Sequence, residues 1–466
     1  MSRRSFALIA IVLLGLGIRV TYAVTTGHST TLLTVGVDIA HNIVAHGHWF
    51  VDNRRADDYL GLLAKQRGHL IDPASVNLSY VDKHGVWYPE ADHPVGTAVV
   101  TAGLWALTGS ERFIQIEVLQ AVIDALAALL VYWIAMQLFN RPRAALLAAL
   151  AYALYPPLAF LAIDPYDDIW AVDFTIAIVA LYLLMTKSGY RWRWLIVCGL
   201  VAGVGAYFRP QVLLIVPVLA LATLARTGWR EALRRALTAS LVAALLLAPW
   251  TIRNYETFHG FVPVRSGVWE TLVSGLSELP TNLVHEAEVD IVREHPGILA
   301  ESAAWHADMK HYFIRAVEQH PLFYVEVLLH RVALSTVLVN EIRWMHRGAG
   351  AVLDYKGGPL ALLVAHPFEL LEYALPNVVF VLAMIGLALS WRRWKEQSVF
   401  LVALVLCVLL PYIAMHVEER YLFPAFFVYF IWIGLGAELV LERVKHRVIA
   451  RRRRRWRAVA PAHGEV

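Results

Sequence analysis

The chain has 466 residues, of which 58% are hydrophobic and 17% charged, with a formal net charge of +4. Soluble domains carry roughly 25% charged residues. Here apolar runs near the roughly 20 residues that cross a bilayer recur along the whole length. This excludes a soluble enzyme with a simple anchor and defines an all-α polytopic membrane protein. The basic residues gather at certain ends of the apolar runs, so no nucleic-acid partner is expected. Cys198 and Cys407 both lie inside apolar runs, which argues against a structural disulfide and gives no metal pattern.

Spans follow from apolar length, and their orientation from the positive-inside rule. Arg3 and Arg4 place the N-terminus in the cytoplasm, and 6–24 forms an uncleaved first span. A polar loop, 25–93, then lies outside. Pro94 opens an apolar run of about fifteen residues, short for a span, which reads as a helix partly embedded from the outer side. Further spans are expected at 113–139, 144–163, 169–186, 194–208, 212–225 and 237–250. A second outer region covers 251–376. Within it, 323–339 carries Glu326, His330 and Arg331 and reads as an interfacial amphipathic helix. The last spans fall at 378–389, 399–415 and 421–441, followed by the cytoplasmic tail with its Arg451–Arg455 run, a topology anchor suited to anionic lipid headgroups.

This ten-span scheme puts every dense basic cluster inside and the acidic segments outside. Counting the two short helices as spans gives twelve and moves three basic clusters outside, which the positive-inside rule disfavours. Four divisions result: a transmembrane module at 1–275, a second outer region at 276–376, C-terminal spans at 377–441 and a basic tail at 442–466.

Ionisable groups near a bilayer are costly and tend to be functional. Asp38 comes first, in GVDIAHNIVAHGHWF, where Asp38, Ile39, His41 and Ile43 fit a short amphipathic helix. Its carboxylate can serve as a general base or simply cap a helix. His41, His46 and His48 are candidate metal ligands, weighed against ordinary interfacial histidines. Glu90, Asp92 and His93 precede Pro94, which suits a first helical turn. The positive end of that helix can hold a phosphate, with His93 as a further donor. Asp164, Asp167 and Asp168 form a tight acidic turn able to bind sugar hydroxyls or a divalent cation, or merely to be solvated. Arg209, Arg253 (beside Asn254) and Arg420 all fall at the outer face, against positive-inside sorting. A planar guanidinium matches phosphate geometry; the alternative is snorkelling to headgroups. Asn77-Leu78-Ser79 fits a glycosylation sequon, a weak match on its own.

The order of these features resembles the GT-C membrane glycosyltransferases, in particular those like the protein O-mannosyltransferases and the aminoarabinose transferases of lipid A. The resemblance rests on an early loop aspartate, a Pro-led helix ending in Leu-Thr-Gly, and the segments FNRPRAALLAALAYALYPP, GLVAGVGAYFRPQVLLIVP, PWTIRNYETFHGFVPVRSG and VEERYLFPAFFVYF. It covers roughly 5–275 and 410–440. It implies a seven-helix catalytic module with large outer loops after helices one and seven. It also implies a polyprenyl-phosphate-linked sugar donor, a lipid, glycan or protein acceptor, and catalysis at the outer face. The family's first-loop aspartate maps onto Asp38. Two departures stand out: Val37-Asp38 where many members have an acidic pair, and His93-Pro94-Val95 where Lys-Pro-Pro is common. The family has no uniform metal requirement, so a divalent cation stays a candidate and no cofactor is certain.

The expected reaction is sugar transfer with inversion. Asp38 would act as base. His93, Arg209, Arg253 and Arg420 would meet the donor phosphate, and Glu90, Asp92, Asp164, Asp167, Asp168 and Asn254 the sugar or acceptor. A bacterial inner membrane is the expected location. The rival from another class is a transporter or flippase for a lipid-linked saccharide. Asp124 and Asp173, within or near spans, keep it open.

Overall fold

The computed structural model describes residues 2–25, 34–47, 51–52, 81–82, 85–86, 88–89, 93–164, 167–295, 303–336 and 367–459. Helices dominate these residues; the exceptions include two-residue antiparallel ladders, β1 (Val51–Asp52) with β4 (Tyr88–Pro89) and β2 (Val81–Asp82) with β3 (Gly85–Val86).

In chain order, α1 is Arg3–Thr25, α2 Thr34–His46, α3 Gly96–Thr108, α4 Phe113–Phe139, α5 Pro142–Leu154, α6 Pro156–Leu161, α7 Asp168–Lys187 and α8 Trp192–Ala206. A 3-10 turn, Pro210–Leu214, leads to α9, Ile215–Leu221. Then come α10 (Leu224–Thr227), α11 (Trp229–Phe258), α12 (Val268–Ser274), α13 (Leu283–Glu294), α14 (Ala303–Gln319) and α15 (Pro321–Thr336). The chain finishes with α16 (Pro367–Trp391), α17 (Lys395–Met415) and α18 (Glu419–Val459).

Local chemistry sets several of these boundaries. Pro142, Pro156 and Pro210 each open a helical segment, where the missing N–H costs nothing. Asn140 ends α4 in the left-handed conformation, as a helix C-cap favours. Seven helices among the described residues are long and apolar enough to cross a membrane. The other three of the ten expected spans, at 144–163, 194–208 and 212–225, fall on apolar helices below that length, 142–154, 192–206 and 210–220. Pro156-Pro157 breaks the first and Pro210 separates the other two, because proline removes a backbone donor and fixes φ. The helices at 323–339 and 94–108 exist, as Pro321–Thr336 and Gly96–Thr108.

The bundle is built around α18. From Leu422 to Trp432 every residue is apolar or aromatic, and Phe426, Phe427 and Phe430 are at most 1% exposed. A helix apolar on all faces belongs inside. It packs on α5, α7, α16 and α17. The α5 face is a run of buried small residues, Ala144, Ala145, Ala148 and Ala149, which lets helix axes approach closely where hydrophobic expulsion from water is absent. Helices α12 to α15 form a side bundle with its own core of Val273, Leu276, Ile291, Trp305, Met309 and Phe313.

One charged cluster sits in the middle of the bundle. Arg19 on α1 is paired with Asp124 on α4, and both are fully buried. Tyr152 on α5 donates to the other Asp124 oxygen. Arg19 also donates to the carbonyls of Gly15 (3.0 Å) and Ala153 (2.9 Å). A buried carboxylate is tolerable only when paired and hydrogen-bonded in this way. Asp124 therefore staples three helices together. Asp173 on α7 is 8% exposed, and neither of its carboxylate oxygens has a hydrogen-bond partner among the described residues.

Candidate active site

The site forms where the first turn of α7 meets the start of α18. Asp167 stands at the helix boundary and Asp168 in the first turn, where the helix dipole favours negative charge. Both are 3% exposed. Asp168 accepts from Arg209 Nη2 through one oxygen. Its other oxygen lies 3.7 Å from Arg420 Nε. Both guanidinium groups stack on the Tyr421 ring, each 5.0 Å from its centroid. Tyr421 in turn stacks on Tyr412, centroids 5.0 Å apart and planes 17° from parallel. Two cations, a carboxylate and an aromatic pair thus share one buried corner.

Helix α3 closes another side. Thr97 donates to Asp167. The backbone there is pressed close: a Cβ on Gly96 would lie 2.6 Å from the Phe208 ring, so only glycine fits. Gly96 N–H also donates to the Tyr207 carbonyl at 2.7 Å. One of the free amides expected to receive a phosphate at this helix start is therefore occupied by the protein itself. His93, half-buried, lies within electrostatic reach of Asp167. Burial pushes the Asp167 carboxyl up to about 6, with Arg209, Thr97 and His93 pulling the other way and Asp168 adding to the rise. Asp164, half-buried beside this corner, is pushed up to about 8 by burial and then by the Asp168 charge, against the pull of Arg420. Its backbone carbonyl accepts from Gln120 at 2.9 Å.

Four of the expected site residues, Asp167, Asp168, Arg209 and Arg420, are gathered here, with His93 and Asp164 at the edge. Arg253 and Asn254 sit near the end of α11. Arg253 lies over Trp250 at 4.7 Å and donates to Asn254 Oδ1 at 2.9 Å. Asn254 is fully buried and donates to the Val262 carbonyl at 3.0 Å, which ties down the turn after α11. Glu90 and Asp92 lie outside the described residues, as do His48 and the Asn77 sequon. Asp38 falls on α2, with its side chain outside the described residues. That helix is anchored on α3: Ile39 packs on Ala98, and Ala40 on Ala102 and Trp105. His41 pairs with Glu111 at 2.6 Å and meets the His46 ring edge-on at 5.6 Å. Among the described residues no group of three or more His, Cys, Asp or Glu side chains is gathered for a metal ion; Asp168 is met by guanidinium groups instead.

Beyond these, Thr97, Tyr412, His416 and Glu418 escape sequence reasoning as site residues. Thr97 carries no local signal, because its partner Asp167 is 70 residues away, and Tyr412 is one more aromatic residue in an apolar run. His416 and Glu418 lie within a stretch, HVEERY, whose density of charge between two apolar runs is a usable signal.

A groove of about 440 Å³ runs along α8, α9 and α11, lined by residues including Ala202, Leu213, Val216, Ala243, Leu247 and Phe261. Leu213 belongs to the 3-10 turn that follows Arg209.

Comparison with known proteins gives a consistent picture. Residues 92–252 match the family described as dolichyl-phosphate-mannose-protein mannosyltransferase. That segment contains His93, Thr97, Asp167, Asp168 and Arg209. The undecaprenyl phosphate-α-4-amino-4-deoxy-L-arabinose arabinosyl transferase of Pseudomonas aeruginosa (strain UCBPP-PA14) is 27% identical over 237 residues, which is 48% of this chain and 40% of that protein. The protein of the same name from Pectobacterium atrosepticum is 28% identical over 253 residues, 50% of this chain and 42% of that protein. The chain thus spans about two fifths of the length of these curated relatives. Among solved structures, the oligosaccharyltransferase of Archaeoglobus fulgidus superposes with a TM-score of 0.53 at 15% identity, over 98% of this chain and 52% of that one. The fold is one that this membrane oligosaccharyltransferase shares. The resemblance to the GT-C superfamily of membrane glycosyltransferases, read from the sequence motifs, is borne out by the family match and the relatives.

Proposed function

We propose that the chain is a membrane glycosyltransferase that moves a sugar from a polyprenyl-phosphate donor to an acceptor hydroxyl or amine at the non-cytoplasmic face, with inversion. The observation that carries this is the convergence of Arg209 and Arg420 on buried Asp168, over the Tyr421 ring. In the transfer, an acceptor lone pair forms a bond to the anomeric carbon as the bond from that carbon to the phosphate oxygen breaks. The bonding pair leaves with the polyprenyl phosphate. Preorganised cations where that charge develops lower the barrier, and arginine forks suit phosphate oxygens.

Asp38 is assigned the role of base, taking the acceptor's proton as attack proceeds. The support is its place on α2, which packs on the same α3 that presents Thr97 to Asp167. Glu90 and Asp92, just ahead of that helix, are assigned to the sugar or acceptor side. Asp167, pushed up to about 6 by burial, and Asp164 can offer either a proton or a lone pair to a sugar hydroxyl. Arg253 is kept as a further phosphate contact, and Asn254 as its positioning neighbour. The groove along α8, α9 and α11 has the apolar lining an isoprenoid tail needs. The curated relatives are named for an undecaprenyl-phosphate-linked aminoarabinose, and the Archaeoglobus fulgidus oligosaccharyltransferase was also solved with an inhibitory peptide and a dolichol phosphate. The proposed location is the bacterial inner membrane, with both ends of this chain cytoplasmic.

Of the two span carboxylates behind the flippase reading, Asp124 does not fit it, whereas Asp173, whose oxygens make no hydrogen bond among the described residues, leaves that reading to the vesicle test below. A coupling carboxylate must be free to load and unload, whereas Asp124 is locked by Arg19 and Tyr152. The test uses purified protein in lipid vesicles with radiolabelled undecaprenyl-phosphate sugars and a lipid extract as acceptor. Label transferred to acceptor with release of undecaprenyl phosphate supports the proposal. Label that crosses the vesicle still attached to its donor would support the flippase.

A further inference from the structure

The side bundle is joined to the site by a continuous chain of charges. Arg331 on α15 is fully buried. Its Nε donates to Glu278 at 2.7 Å, and its Nη1 to the carbonyls of Ile413 (3.3 Å) and Ala414 (3.0 Å). Glu278 ends the 3-10 turn Gly275–Glu278. It accepts the Val417 amide at 2.9 Å and His416 Nδ1. The backbones are so close here that a Cβ on Gly275 would collide with both Arg331 and the Met415 carbonyl. His416 Nε2 meets Glu418 at 3.1 Å, Glu418 meets Arg420, and Arg420 reaches Asp168.

The imidazole is the informative link. A carboxylate only accepts hydrogen bonds, so a ring bonded to one at each nitrogen must donate from both and is an imidazolium. The groups facing it are Glu278 from the 3-10 turn, Glu418 from its own segment, Arg331 from α15, and Arg420 and Tyr421 from α18. Burial alone would push His416 down, but the two carboxylates push it up to about 9.

Arg420 lies between two carboxylates, Glu418 and Asp168, and also donates to Tyr421 Oη at 3.2 Å. How far it leans toward each depends on how much of the Glu418 charge is already engaged. With His416 charged, Glu418 is shared. Without it, the whole of that charge falls on Arg420 and draws the guanidinium off Asp168.

We propose that Glu278 and His416 are positioning residues for Arg420, through which the side bundle sets the affinity of the site for the donor's phosphate. This rests on the donor reading above. Neither residue touches donor or acceptor. Both lie outside the 92–252 segment that carries the family match, so the device belongs to the part of this chain that the match leaves unexplained.

The experiment titrates undecaprenyl phosphate against the full chain in nanodiscs, followed by native mass spectrometry. His416→Gln and Glu278→Gln should each weaken binding about ten-fold, the scale of one charge-assisted hydrogen bond. The pair together should be no weaker than the worse single. His320→Gln, at an exposed histidine of the side bundle, is the control and should bind as the parent does. The decisive variant is His416→Gln combined with Glu418→Gln. Removing the second carboxylate frees Arg420 again, so affinity should recover to within about two-fold of the parent. A merely structural role predicts further loss instead. In turnover, His416→Gln should raise the donor KM with kcat within about two-fold, the pattern of lost ground-state binding. Unchanged affinity in the folded single variants, or no recovery in the combined one, would overturn the proposal. If the unaltered chain itself fails to bind undecaprenyl phosphate, the donor reading falls first and this inference with it, and that failure is visible before any variant is made.

Discussion

Arg209 and Asp168 form an ion pair across the first turn of α7 in which both side chains are at most 4% exposed. Two charges so far from water are tolerated because they are paired, with Arg420 as a second cation near Asp168 and Arg209 also over the Tyr421 ring. Arg209→Ala should cost about 3–5 kcal/mol of stability, because it strands a buried carboxylate. It should also lower transfer by about 10²–10³-fold, the scale of a lost charge-stabilising donor. Arg209→Lys keeps the charge but not the fork, and should retain more stability than activity. Thermal unfolding in detergent beside a transfer assay separates the two.

The Arg19–Asp124–Tyr152 staple makes the opposite prediction. The bonds to Asp124 come from Arg19 and Tyr152, neither of which belongs to the Asp168 corner. Asp124→Asn leaves Arg19 without its ion pair and should cost about 3–5 kcal/mol, read as a lower unfolding temperature or lost expression. Tyr152→Phe removes only one donor and should cost about 1–2 kcal/mol. In whatever folded fraction survives, the donor KM should match the parent's.

Gly96→Ala tests the packing of α3 on the site. The added methyl would fall 2.6 Å from the Phe208 ring, and overpacking of this kind costs about 1–3 kcal/mol. Relief requires α3 to move, taking Thr97 off Asp167. Transfer should therefore fall further than stability does. Thr97→Val, which keeps the helix in place but loses the hydroxyl, should reproduce part of the activity loss with little change in unfolding temperature.

The Glu278–His416–Glu418 cluster fixes a pH window for stability. The folded His416 is raised from 6.5 to about 9, so its contribution is complete below about 6.5, erodes above that and is gone beyond about 9. The folded Glu418 is lowered from 4.5 to about 2, so its share is complete above about 4.5 and lost as pH falls through about 2. The two partners hold the same interaction, so it is counted once, on the order of 3 kcal/mol. Unfolding temperature should peak between about pH 4.5 and 6.5 for this cluster and decline toward pH 9. His416→Gln should flatten that alkaline decline.

Much of the scaffold was legible in the sequence because bilayer crossing demands length and apolarity that can be counted. The acidic turn was legible for a similar reason: carboxylates at a membrane edge are conspicuous. Arg209 and Arg420 stood out because positive-inside sorting does not explain them, and they do converge on Asp168. Arg253 stood out on the same ground, yet its described hydrogen bond is to Asn254, which binds the following turn. Charge at a helix end does not reveal which way the side chain turns. The expected span at 144–163 ran on because apolar composition continues through Pro156-Pro157, where one helix ends and another begins, while 194–208 and 212–225 fall on the short apolar helices 192–206 and 210–220. Thr97 and Glu278 were invisible, since each matters only through a partner more than forty residues away, and nothing local in an apolar or polar run marks such a pairing.

The face of the membrane is open to a direct check. Thr281→Cys, in the turn between the Gly275–Glu278 segment and α13, should react with an impermeant maleimide added to intact cells. Tyr59→Cys should do the same. Labelling of either only after the cytoplasm is opened would reverse the orientation proposed for the site.

The central claim is transfer with Asp38 as base. It is met most directly by the rate at which purified protein moves radiolabelled sugar from undecaprenyl phosphate to acceptor, measured for the parent and for Asp38→Asn at equal folded concentration. The account predicts clear transfer by the parent and a loss of about 10²-fold or more in the variant, the scale of general-base catalysis. Full activity in a folded Asp38→Asn protein would contradict it.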